Sequence, residues 1–190
     1  MNNSNISIIG PRCVGKTNTG IYLAELLGRN FVDADNLLET RAGMTIREIT
    51  EKEGWEYFRE LESKTLVHII NHFQSEKIVL APGGGAVAHE YAHLREENLR
   101  RLRKFGDIVL LLPTENLEDN AKIITRRMNK DERTESQRPR FTDLPLYHDV
   151  LKMLNDRDGF YLQAADRIFY TKANDEKEVA EIIKKELSLV

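Results

Sequence analysis

"ISIIGPRCVGKTNTG", Ile6 to Gly20, is the stretch on which the reading of this chain turns. An apolar, β-branched run leads into G-P-R-C-V-G-K-T, which fits the phosphate-binding pattern G-x-x-x-x-G-K-[ST], and a helical pattern follows. In such a turn the backbone N–H groups of Gly10, Pro11, Arg12, Cys13, Val14 and Gly15, proline excepted, are free to cradle phosphates at a helix N-terminus. Lys16 would reach the transferable phosphate, and the Thr17 hydroxyl would ligate Mg²⁺. Strand before and helix after is the context this chemistry requires. The loop predicts nucleotide binding, with ATP and Mg²⁺ as cofactors, and says nothing of the acceptor.

The rest of the chain supplies a frame for that loop. Further strands are expected at Asn30–Asp33, Lys77–Ala81, Asp107–Pro113 and Arg167–Thr171, beside Ile6–Gly10. Helices are expected at Lys16–Leu27, Thr45–Ile49, Trp55–Phe73, His89–Lys104, Leu117–Met128, Leu146–Asn155 and Asp175–Leu187. This alternation predicts an α/β fold: a doubly wound, parallel, five-stranded sheet with helices on both faces. At 190 residues, a single domain spanning 1–190 is expected. The charged stretch of about 128–144 lacks apolar periodicity and reads as a mobile lid.

Composition narrows the classes. Hydrophobic residues make up 41% and charged residues 31%, as in a globular protein. The formal charge, 28 − 31 = −3, comes with no basic block, so nucleic acid is not an expected partner. One cysteine leaves no internal disulfide framework. Neither a signal peptide nor a membrane-crossing run is read, so a cytoplasmic monomer without membrane attachment is the expectation.

Three further stretches carry chemistry. Phe31-Val32-Asp33-Ala34-Asp35 sets two carboxylates at a strand end, one able to hold Mg²⁺ or its waters and the other a substrate hydroxyl. Arg59 and Glu62 stand three apart on one helical face, a spacing that often yields only a surface ion pair. Gly83, Gly84 and Gly85 are costly in chain entropy, which points to close backbone approach to a ligand. Arg157 adds a guanidinium near a helix end and taken alone would be a solvated residue.

In order along the chain, Gly10–Thr17, Phe31–Asp35, Glu53–Glu62, Pro82–Val87, Arg138-Pro139 and Asp156–Tyr161 resemble the shikimate kinase pattern over nearly the whole length. The resemblance implies a P-loop kinase that phosphorylates the 3-hydroxyl of shikimate in aromatic amino acid biosynthesis. It implies that Asp35, Arg59 and Arg157 bind shikimate beside the Gly83–Gly85 backbone within a helical region of about 34–62. Glu62 would hold Arg59, Asp33 would support Mg²⁺ through water, and Arg138 would swing in from the lid onto the transferring phosphate. Lys16, Asp35 and Arg138 are the catalytic set so implied, and Arg127 or its neighbour Arg126 would cover adenine. The chain departs from the pattern at Cys13, Pro82 and Trp55 and in a longer lid.

Rival readings remain at this stage. His89-Glu90-Tyr91-Ala92-His93 matches the zinc-hydrolase motif H-E-x-x-H, which requires a helix that brings both histidines to one face. His68 and His72 share helical spacing without a further ligand signal. A gluconate or nucleoside-monophosphate kinase would share the phosphate loop. A non-catalytic nucleotide-binding paralogue would keep Lys16 and Thr17 but lose the acceptor clamp.

Overall fold

A computed structural model describes residues 5–73, 75–130, 140, 142–172 and 174–187. Five strands, β1 (Asn5–Ile9), β2 (Asn30–Asp33), β3 (Ile78–Ala81), β4 (Gly106–Leu112) and β5 (Arg167–Tyr170), form one sheet in the order β2-β3-β1-β4-β5. All four pairings are parallel, so each connection crosses over through helices. The helices are α1 (Lys16–Leu27), α2 (Ala34–Ala42), α3 (Ile46–His72), α4 (Ala92–Phe105), α5 (Leu117–Met128), α6 (Leu146–Ala164) and α7 (Glu176–Glu186). No helix among the described residues is long and apolar enough to cross a membrane.

Alternation along each central strand divides the core between two faces. Ile6, Ile8, Val79, Val109 and Leu111 pack with Leu23 and Ala24 of α1 and with Val179, Ala180 and Ile183 of α7. Ile9, Ile78, Leu80, Ile108, Leu110 and Leu112 pack with Leu66 and Ile69 of α3, Leu102 of α4, and Tyr161 and Ala164 of α6. Strands covered on both faces become continuously apolar, as β4 is in Ile108–Leu112.

Several element boundaries differ from the sequence expectation. Helix α2 is an element that the periodicity did not show. Asp33 caps it with its carboxylate, and its Leu38 packs against Ile46, Ile49 and Phe58. The two helices expected at 45–49 and 55–73 run on as α3, broken by non-helical backbone at Gly54 (φ 85°, ψ 171°). Helix α4 starts at Ala92 rather than His89. Helix α6 continues to Ala164, well beyond Asn155, because Tyr161 and Ala164 are buried against the sheet while Gly159 faces open space. Burial there outweighs the weak helix propensity of Asn155, Asp158 and Gly159. The expected lid range overlaps the end of α5 at Met128 and includes Thr142, whose N–H and hydroxyl both donate to Asp149 at 2.7 and 2.8 Å.

The register places the site. Asp33 at the end of β2 lies opposite Ala81 at the end of β3, directly before Pro82 and the triple glycine. The phosphate loop leaves the adjacent strand β1. Three motifs far apart in sequence therefore meet at the carboxyl edge of the sheet, where open α/β sheets hold ligands.

Candidate active site

The phosphate loop is shaped by its neighbours. Gly10 has φ 138°, and a Cβ there would overlap the Leu111 carbonyl, so the first fixed glycine is obligatory. Val14 is 1% exposed and anchors the loop in the core beside Leu23. Cys13 has φ 58°, the one described non-glycine residue at positive φ. No side chain caps the start of α1 at Gly15, which leaves its first N–H groups directed at the loop. Lys16 folds across the turn, its Nζ donating to the Pro11 carbonyl at 2.7 Å.

Thr17 and Asp33 meet as the motif expects. Thr17 Oγ1 donates to Asp33 Oδ2 at 3.0 Å, while Asp33 Oδ1 accepts the N–H of Asp35 at 3.0 Å and of Asn36 at 3.3 Å. Capping α2 thus holds Asp33 in place and turns its second oxygen toward Thr17. Two hard oxygen ligands side by side beneath the phosphate loop suit a hydrated Mg²⁺. Arg127 Nη1 donates to the Cys13 carbonyl at 3.1 Å, so of the two candidate arginines Arg127 is the one against the loop. Arg126 faces a separate surface cleft with Lys122 and Tyr147.

Beside the loop lies a cavity that is open to solvent on one side. Ile46, Trp55 and Phe58 form its apolar wall. Its charged lining is Arg12, Asp35, Arg59, Glu62 and Arg157, with Gly84 and Gly85 as backbone floor. Arg59 and Glu62 make no surface pair: their side chains are 4% and 3% exposed and meet at 2.9 Å. The guanidinium also sits 4.9 Å from the Phe58 ring centre and 5.4 Å from that of Trp55, held by cation–π contact. Burial pushes the Glu62 carboxyl up from its ordinary value, and the charge of Asp35 adds to this; Arg59 and Arg157 oppose it. Arg59 Nε is buried with no hydrogen-bond partner among the described residues, a donor that asks for an acceptor from a ligand.

The triple glycine is explained by side chains rather than by a turn alone. A Cβ on Gly83, which has φ 100°, would lie 2.8 Å from Glu62 Oε1 and 2.9 Å from Asp35 Oδ1. A Cβ on Gly85 would overlap the Arg59 guanidinium. Gly84 faces the phosphate loop, and its carbonyl accepts the Tyr161 hydroxyl. Tyr161 is 1% exposed, burial raises its pKa, and Arg157 hydrogen-bonds its oxygen. Arg157 is 9% exposed and lies inside α6, not near a helix end.

Two sequence candidates fall differently. His89 and His93 do not share a helical face, since His89 precedes α4 and its Nδ1 accepts the Tyr91 N–H at 3.1 Å. The helix on which the zinc reading rested is absent at His89. Arg138 and Pro139 lie outside the described residues. Trp55, Phe58, Ile46 and Tyr161 are cavity or support residues that the motif reading did not assign. For Trp55 and Phe58 the signal was present: with Arg59 and Glu62 they stand at i, i+3, i+4 and i+7 on one helical face.

Comparison with known proteins agrees with this geometry. The profile of the family described as Shikimate kinase matches residues 12–188. Shikimate kinase 2 of Enterobacter sp. (strain 638) is 35% identical over 179 residues, covering 94% of this chain and 92% of that protein. The structure of shikimate kinase from Acinetobacter baumannii in complex with shikimate is 30% identical with a TM-score of 0.81, covering 97% of this chain and 93% of that one. Shikimate kinase from Bacteroides thetaiotaomicron is 26% identical with a TM-score of 0.79, covering 98% and 99%. The chain belongs to the shikimate kinase family.

Proposed function

We propose that this shikimate kinase family member transfers the γ-phosphoryl group of ATP to the 3-hydroxyl of shikimate. The observation that carries the reading is the pairing of Arg59, whose buried Nε lacks an acceptor, with Arg157 in a cavity that also holds Asp35 and adjoins the phosphate loop. Two planar guanidiniums suit a small carboxylate, and the apolar wall of Trp55 and Phe58 suits the carbon ring that bears it.

In the reaction the acceptor hydroxyl oxygen forms a bond to the γ-phosphorus. The bond from that phosphorus to the β–γ bridging oxygen breaks, and its electron pair leaves on ADP. Asp35 orients the hydroxyl and accepts its proton. Lys16 releases the Pro11 carbonyl to meet the transferring phosphate, and the α1 N-terminus binds the phosphates that stay on ADP. Glu62 keeps Arg59 in register, and the Gly83–Gly85 backbone closes against the acceptor. Thr17 and, through water, Asp33 would hold Mg²⁺, which would offset phosphate charge. Arg127 is assigned to the adenine side and Arg138 to closure over the phosphate. Residues 1–190 are read as one domain, and a cytoplasmic monomer is the form proposed for it.

A coupled ADP-release assay with shikimate, gluconate and AMP as separate acceptors tests the reading. Turnover with shikimate alone is expected. Turnover with either other acceptor and none with shikimate would overturn it.

A further inference from the structure

Helix α6 carries Arg157 and Tyr161 four residues apart, so both lie on its buried face, one turn above the other. The Tyr161 hydroxyl joins two groups. It donates to the Gly84 carbonyl and accepts from the Arg157 guanidinium. A phenol has one proton to give, and Gly84 takes it. Burial raises the pKa of Tyr161 against the opposing pull of Arg157, so that proton stays in place.

Gly84 is a firm anchor although glycine backbone is otherwise free to turn. The phosphate loop lies against it: a Cβ on Gly84 would be 3.4 Å from the Gly10 carbonyl, 3.7 Å from Lys16 Nζ and 3.8 Å from the Arg12 backbone nitrogen. On its other side the Gly85 carbonyl accepts the Ala88 N–H at 2.9 Å. Tyr161 is thus tied at one end to backbone packed on the phosphate loop. At the other end it meets Arg157, which lines the acceptor cavity. A guanidinium on a long, flexible stem recognises a carboxylate well only when its planar fork is held at a fixed angle.

We infer that Tyr161 is a positioning residue for acceptor binding: its hydroxyl holds the Arg157 guanidinium in register with the Gly84 backbone, and so with the phosphate loop. This rests on the function proposed above, in which Arg157 takes the carboxylate of shikimate.

Tyr161→Phe removes the hydroxyl and keeps the ring that fills the core. The test is a double-mutant cycle of wild type, Tyr161→Phe, Arg157→Ala and the double variant, with shikimate and Mg-ATP varied in turn. Tyr161→Phe is expected to raise shikimate KM by at least about tenfold and to leave Mg-ATP KM within about threefold. In the Arg157→Ala background the same change should move shikimate KM by less than about threefold, because the group it positions is gone. Titrating the fluorescence of Trp55 in the cavity wall gives the same factors as shikimate affinities where turnover is too slow. A merely structural role would raise shikimate KM equally in both backgrounds, or raise the KM of both substrates together. Either result overturns the inference, as does an unchanged shikimate KM in Tyr161→Phe. A Tyr161→Phe protein with no cooperative thermal melt would assign the hydroxyl to folding and overturn it too. A wild type that does not phosphorylate shikimate overturns the function reading, and this inference with it, before any variant is measured.

Discussion

Arg59 Nη1 and Glu62 Oε2 meet at 2.9 Å in a pair that is almost wholly removed from water. Taking out one partner leaves the other charge uncompensated, at a cost of about 3–5 kcal/mol. Glu62→Gln is therefore expected to lower the unfolding free energy by an amount in that range. The carboxylate of shikimate would then supply part of the missing charge, so the ligand should raise the melting temperature of the variant more than that of wild type. Thermal melts with and without shikimate check this. An equal shift in both proteins would mean that the ligand does not reach Arg59.

His89 gives the stability a pH dependence. It is 2% exposed, and burial first, then the charges of Arg59, Arg157 and Arg95, push its pKa down to about 3 from 6.5. The folded protein keeps this ring neutral where the unfolded chain binds a proton. The contribution is present above pH 6.5 and is lost as pH falls toward 3. The slope from one such group is at most about 1.4 kcal/mol per pH unit. Urea unfolding at three pH values between 7 and 5 should show a shallower decline for His89→Gln than for wild type. Parallel declines would contradict the assignment.

Cys13, the chain's one cysteine, offers a probe of the loop. It is half-buried at φ 58°, and its carbonyl accepts from Arg127. Phosphates seated on the loop should shield its sulfur, so saturating Mg-ADP is expected to slow iodoacetamide labelling measured by intact mass. Equal rates with and without nucleotide would mean that the sulfur faces away from the phosphates.

Gly85→Ala tests the origin of the triple glycine. The added methyl would overlap the Arg59 guanidinium and force it from its seat. Shikimate KM should rise by at least about tenfold while Mg-ADP affinity stays near that of wild type. Titrating the fluorescence of Trp55, the one tryptophan and part of the cavity wall, gives the shikimate affinity directly. Unchanged affinity would show that Arg59 is not held against this glycine.

The sequence was most informative where a local rule decides the outcome. Helices α1 and α5 and strand β2 have the expected bounds, each set by its own periodicity and end signals. The loop, the paired aspartates and the triple glycine were legible as motifs because their chemistry is written in consecutive residues. Helix α2 was not, since only Leu37 and Leu38 mark an apolar side and its stability comes from packing on α3. The burial of Arg59, Glu62 and Arg157 was equally hidden, because i,i+3 spacing and a guanidinium read the same on a surface as in a cavity. Arg12 lining the same cavity as Arg59 and Arg157, and Tyr161 bonding Gly84, depend on β1 lying beside β3 and on α6 packing across the sheet. Those are through-space relations that no short stretch of the chain records.

Phosphorus NMR of wild-type protein with Mg-ATP and shikimate tests the central claim most directly. The account requires the γ-phosphate signal of ATP to be replaced by a monoester signal coupled to the proton on C3, with one ADP formed per ester. ADP with inorganic phosphate and no ester, or an ester at another oxygen, would contradict it.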